Sequence, residues 1–167
     1  MKLARIILIA IPLYISYMLF SGSASLFDLF LGLIIALLIS SIFSNLFVEK
    51  TEKLIDVRRW AWFIAYFIHY LTIDEFKAHL DVIKRILHPK MPINPGIVRT
   101  PYRVETEYGL VLTANSITNT PGTVVVDYDE NRKLYYVHWI DVKSPEEVVT
   151  ESEISEPFAR FARRIFD

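Results

Sequence analysis

The sequence predicts a membrane α-helical hairpin and an interfacial amphipathic helix, followed by a small cytoplasmic α/β domain built as strand, helix and hairpin with a C-terminal helix. Three observations carry that expectation. Two runs of 20 residues without a formal charge, 6–25 and 29–48, lie near the N-terminus. Apolar residues at helical spacing then run from Trp60 to Leu87. Past Pro89, Pro92, Pro95 and Gly96 the pattern changes to period-two alternation around a Pro-Gly turn. The boundaries that follow are 1–48 for the hairpin, 49–88 for a cytoplasmic loop and the interfacial helix, and 89–167 for the α/β domain. Composition points the same way. With 53% hydrophobic residues in 167 and a mean hydropathy of +0.33, the chain is too apolar for an ordinary soluble domain of its size.

At about 1.5 Å rise per residue, a 20-residue helix is about 30 Å long, the thickness of the hydrocarbon core, so both uncharged runs are long enough to span. Lys2 and Arg5 before the first run would also suit a signal peptide. Against that, Tyr14, Tyr17 and Met18 are bulky, no A-x-A site follows, and a second apolar run comes at once. Ser25 with Asp28 three residues on forms a capping-box pattern for the second helix. An intramembrane acid can also belong to an ion path, but a first-turn position favours capping. Gly32, Ala36 and Ser40, at four-residue spacing, mark a face for close helix packing. Lys2 and Arg5 precede the first run and Lys50, Lys53, Arg58 and Arg59 follow the second, which places both ends of the hairpin on the cytoplasmic side.

From Trp60 to Ile73 the chain has 14 residues without a formal charge, which reach only about 21 Å as a helix, short for a span. The pattern continues past them. Trp60, Ile64, Phe67, Leu71, Phe76, Leu80, Ile83 and Leu87 form one stripe, while Asp74, Lys77, Asp81, Lys84 and Arg85 fall mostly elsewhere. We expect a long helix at the cytoplasmic surface, with Trp60, Trp62, Tyr66 and Tyr70 suited to the headgroup region; a third span is the competing reading. His69 and His79 lack the i, i+4 spacing of a helical metal pair.

In the last part, Val98, Thr100, Tyr102 and Val104 alternate as a first strand, and Pro101 inside it points to an edge or a bulge. Thr106 can cap a helix carrying Leu110, Ala114 and Ile117. Thr120-Pro121-Gly122-Thr123 stops that helix and reverses the chain, since proline presets φ and glycine accepts the positive φ of a type II turn. Val124 to Tyr128 and Leu134 to Ile140 then alternate as a hairpin with partly apolar faces on both sides. Ser144-Pro145-Glu146-Glu147 resembles the start of a short helix. Phe158, Phe161, Ala162 and Ile165 make the stripe of a last one, with Arg160, Arg163 and Arg164 toward its C-terminal end, as the macrodipole favours. That basic face would also suit anionic headgroups or a partner.

A search for chemistry is nearly empty. No phosphate loop, His-Glu-x-x-His or nucleophile elbow occurs. The absence of cysteine excludes disulfides, thiolate metal sites and a cysteine nucleophile. His138 and Asp141 fall on opposite faces of a regular strand, so they do not converge. Asp127, Asp129 and Glu130 lack the glycine and glutamate of a calcium loop. We expect no enzyme activity, cofactor, metal or small-molecule substrate of its own, and a net charge of −1 argues against nucleic acid.

The segment around Asn115 (ANSIT), then Thr120, Pro121 and Gly122 (TPGT), a valine strand, and the YYVHWID strand with His138 and Trp139, resembles the E subunit of the Mrp (Mnh) type multisubunit Na+/H+ antiporter. Asn94-Pro95-Gly96-Ile97-Val98 resembles the segment that opens the same domain there. Related subunits occur in archaeal membrane-bound hydrogenases and sulfur-reducing complexes. The resemblance implies an accessory subunit that supports assembly and cation and proton transport, with other subunits and the lipid bilayer as partners. A membrane-anchored adaptor that recruits a soluble protein, with no transporter, is the alternative.

Overall fold

A computed structural model describes residues 2–47 and 51–167. The chain falls into two compact units, Met1–Val57 and Arg58–Asp167.

The first unit is an antiparallel hairpin of α1 (Lys2–Ser21) and α2 (Leu26–Phe47), with a short α3 (Thr51–Ile55). Both long helices contain a 19-residue stretch long and apolar enough to cross a membrane. Proline in the middle of α1, Pro12, removes one backbone donor there. The turn is closed by hydroxyls. Ser25 Oγ donates to Asp28 Oδ2 at 2.6 Å and accepts from the Asp28 backbone N at 3.2 Å, while Ser23 Oγ donates to the same carboxylate oxygen. Asp28 is thus held as a cap at the first turn of α2. The outward faces are apolar: Leu19, Phe20, Phe27, Phe30, Ile34, Leu38 and Ile42 are all exposed. Only lipid or other apolar helices can cover such a surface in a cell.

The second unit begins with one continuous helix in three parts: α4 (Val57–His69), a π-helical turn (Tyr70–Asp74) and α5 (Glu75–Leu87). A three-stranded antiparallel sheet follows, in the order β1 (Gly96–Pro101), β3 (Leu134–Trp139), β2 (Thr123–Asp129). Between β1 and β2 lies α6 (Glu107–Asn119), and after β3 come α7 (Glu147–Thr150), a second π-helical turn (Glu151–Ser155) and α8 (Glu156–Phe166). The expected strand, helix, hairpin and terminal helix are all present. Thr106 caps α6 by accepting from Gly109 N, and the Asp167 carboxylate accepts from the backbone N of Glu105 and Thr106.

Pro101 sits on an edge strand, as its missing N–H requires. Two outer carbonyls of that edge are satisfied internally. Thr150 Oγ1 donates to Arg99 O and Ser155 Oγ to Pro101 O, both at 2.6 Å. On the other edge, Val125 N donates to Thr118 Oγ1, and a bulge between Val125 and Asp127 bends the strand. Both edges are therefore unsuited to pairing with another chain.

Val98, Tyr102, Tyr135, Val137 and Trp139 form the inner face of the sheet with Ile117 of α6 and Ile154, Phe158, Ala159, Phe161, Ala162 and Ile165 of the C-terminal helices. The outer face is open, with Ile97, Val124 and Val126 exposed.

Candidate functional site

Within the hairpin, Ala36 and Ser40 are almost fully buried, at 1% and 0% exposure. A Cβ built on Gly32 would collide with Tyr17 Cδ1 and lie 2.7 Å from Cε1, so the absent side chain leaves room for the Tyr17 ring. The three residues lie against α1. Ser44 continues the row, with its hydroxyl buried and without a hydrogen-bond partner among the described residues.

The centre of the second unit is the docking of α4 on the α/β core. Tyr66 and Tyr70, expected at headgroup level, turn inward instead. Tyr66 is 7% exposed, packs on Phe161 at 5.6 Å between ring centroids, and hydrogen-bonds the Ser116 hydroxyl. Ser116 Oγ already donates its proton to Leu112 O at 2.6 Å, so Tyr66 is the donor. Tyr70 packs on Phe158, and its buried hydroxyl lies beside Glu75 and Thr120. Two tyrosines at i, i+4 thus meet a serine and a threonine at i, i+4. Burial pushes both phenols above their ordinary range. Sequence spacing could have revealed this match; aromatic type alone pointed to lipid. Along the flank, Trp62 meets Phe161, the Arg164 guanidinium lies 4.0 Å above the Trp62 ring, and Arg59 donates to Ile165 O at 2.8 Å.

The signature residues take distinct places. Asn115 is on the exposed side of α6. Thr120 ends α6, its Oγ1 donating to Ser116 O, and its carbonyl accepts from Thr123 N to close the turn over Pro121 and Gly122. Gly122 has φ +101°, the value the turn needs at that position. Its carbonyl accepts from Ile140 N, which ties the turn to the end of β3. Trp139 is buried, and His138 lies on the open face opposite Ile97 and Val124. Asp141, by contrast, points to Arg85 at 2.9 Å, so His138 and Asp141 diverge.

Asp81 and Asp141 bracket Arg85, raising its pKa mainly through the Asp81 hydrogen bond. Arg85 also donates to Pro92 O. These contacts floor a cleft of about 530 Å³ between α5, the Pro121–Gly122 turn and the start of α8. Charges in it are mixed in sign, and among the described residues no group of three or more acidic or histidine side chains is placed to hold a metal. Asp129 accepts from Arg132 N within its own turn, a solvated loop rather than a cation site.

Away from the docked face, Trp60, Ile64, Phe67, Leu71, Phe76, Leu80, Ile83 and Leu87 are between 37% and 77% exposed. The expected stripe is real and uncovered.

A pair of span-length helices joined to an α/β unit, with a long amphipathic helix on its outside, defines the class of small membrane subunits that carry a compact appendage. A family model described as Na+/H+ ion antiporter subunit matches residues 10–165. The chain is 32% identical over 155 residues to the Na(+)/H(+) antiporter E subunit of Alkalihalophilus pseudofirmus, covering 92% of this chain and 93% of that protein. It is 27% identical over 162 residues to the corresponding E subunit of Bacillus subtilis, covering 95% and 96%. One chain in the solved structure of the membrane-bound sulfane sulfur reductase, an archaeal respiratory membrane complex, superposes with a TM-score of 0.83 at 36% identity, covering 98% of this chain and 99% of that one. The chain belongs to the family of Na+/H+ antiporter E subunits.

Proposed function

We propose that this chain is a non-catalytic subunit of a multisubunit Na+/H+ antiporter-type membrane complex, where it supports assembly and the transport of monovalent cations and protons. The observation that carries the proposal is the match to antiporter E subunits over nearly the whole of both chains. The hairpin anchors it, and both hairpin ends and the α/β unit lie on the cytoplasmic side, as the flanking Lys and Arg favour. In this reading the chain crosses the membrane twice. Burial of Tyr66 among protein side chains supports placing α4 on the surface rather than across the bilayer. The stripe from Trp60 to Leu87 then lies in the interface.

Purified through a tag from its native membrane in mild detergent, the chain brings down several many-span subunits in fixed ratio. Recovery alone or as a homo-oligomer would overturn the proposal. Topology is tested by Ser23→Cys and Asn131→Cys, each a sole cysteine. A membrane-impermeant thiol reagent on intact cells should label position 23 and reach 131 only after the membrane is opened; labelling of 131 on intact cells would instead mean three spans or an inverted insertion.

A further inference from the structure

The stripe has a polar rim, and its two sides carry different chemistry. At about 100° per residue, Phe76, Leu80, Ile83 and Leu87 centre one face of α5, and Lys77 and Lys84 lie together roughly 70–90° around from it. Both lysines are exposed, and neither forms an ion pair among the described residues. The acids of the same helix are occupied elsewhere: Asp81 holds Arg85 at 2.7 Å, Asp74 holds His69 at 3.0 Å, and Glu75 lies 3.3 Å from His79. Asp74, Asp81 and Arg85 line the cleft toward the core, and Lys77 stands at its border, between the two faces.

The face is also continuous across the π-turn. Stripe residues are spaced 4, 3, 4, 5, 4, 3 and 4 apart. In an unbroken α-helix the step of five from Leu71 to Phe76 would turn the second half of the stripe away by about 160°. The π-helical turn Tyr70–Asp74 spans that step and takes up one residue, or about 100°, which brings the two halves within about 60° of each other, so their apolar faces overlap. The result is an apolar edge about 40 Å long, with two mobile cations on one rim.

We propose that this face seats on a bilayer surface through anionic phospholipid headgroups, with Lys77 and Lys84 as the phosphate contacts of α5. This rests on the interfacial placement proposed above and adds the lipid class and the residues that select it. A groove in a protein partner would take a few anchors over two or three turns. A flat leaflet instead matches a long continuous edge with snorkelling lysines. Each lysine close to an anionic leaflet contributes about fivefold to the docked population, and the two together roughly 25-fold.

The test uses the full chain, which has no native cysteine, reconstituted in vesicles of phosphatidylcholine alone or with phosphatidylglycerol at 3:1. A nitroxide is placed at Phe67→Cys, Ile83→Cys or Asn131→Cys, and its collisions with oxygen and with a water-soluble nickel chelate are compared. In the mixed vesicles positions 67 and 83 should favour oxygen, and 131 the chelate. In pure phosphatidylcholine, or with Lys77→Gln and Lys84→Gln, the docked population read at 83 should fall about 25-fold. If position 83 keeps its oxygen preference in both cases, the anionic selection is wrong and the interfacial placement stands. If 67 and 83 favour the chelate in every vesicle, or are shielded from both reagents, the interfacial placement itself fails.

Discussion

Gly122 and Gly32 show how much depends on a missing Cβ. At φ +101°, any L-side chain at 122 is strained, and its Cβ would lie 3.1 Å from Ile140 Cγ2. Gly122→Ala should cost about 1–3 kcal/mol, seen as a lower thermal midpoint of tryptophan fluorescence in the purified protein. Gly22→Ala is the control. It also has positive φ but meets nothing within 4 Å, so it carries only the backbone strain and should lower the midpoint less. Gly32 has no special backbone angle; its constraint is the Tyr17 ring. Gly32→Ala should therefore destabilise the hairpin in micelles, measured by helical circular dichroism, and Tyr17→Ala should restore it in the double variant. Additive losses would mean that the two residues do not touch. Of these, only the turn glycine was fully legible in the sequence, because Pro-Gly states its own geometry. The four-residue spacing of Gly32, Ala36 and Ser40 marks a face, but no spacing says that Tyr17 fills it.

The long helix from Val57 to Leu87 is the element where reading and structure differ most instructively. Its stripe was visible as a pattern, including the odd step of five between Leu71 and Phe76. That step is the mark of the π-turn, since a stripe can stay continuous across it only if the helix winds one extra residue. Removing one residue there, Thr72, should restore plain α geometry and leave α5 facing as it does relative to α4, because the π-turn is what absorbs that residue. Cysteines at Arg85 and Asp141, which contact each other in the parent, should therefore be joined by a short bifunctional reagent in the parent background and in the deletion variant alike. Loss of the crosslink in the deletion variant would show that the turn does not take up the extra residue. The opposite face misled the reading for a physical reason. Tyr and Trp suit a headgroup and a protein core equally well, and only partners far along the chain, Ser116, Phe158 and Phe161, decide between them. Edge strand β1 was legible through Pro101. Its guards were not, because the hydroxyls of Thr150 and Ser155 come from some fifty residues away.

For the molecule as a whole, buried phenols make alkali the informative perturbant. Burial raises the phenols of Tyr66, Tyr70, Tyr102 and Tyr135 above their ordinary value of 10.0. A group raised on folding contributes stability that is fully present below its unfolded pKa and is lost as pH climbs toward the folded value. The thermal midpoint of the Arg58–Asp167 unit should therefore be insensitive to these groups below pH 10 and drop steeply above it. A midpoint level to pH 12 would contradict the burial of these hydroxyls. The docking of α4 has another consequence, in time rather than energy. Tyr66 leaves the ribosome 95 residues before Phe161, the ring it packs against. At roughly 5–20 residues per second, its apolar face waits about 5 to 20 s for its partner. During that interval α4 is apolar on both sides, and the nascent chain must be sheltered, by the bilayer beside it or by a chaperone, until α8 arrives.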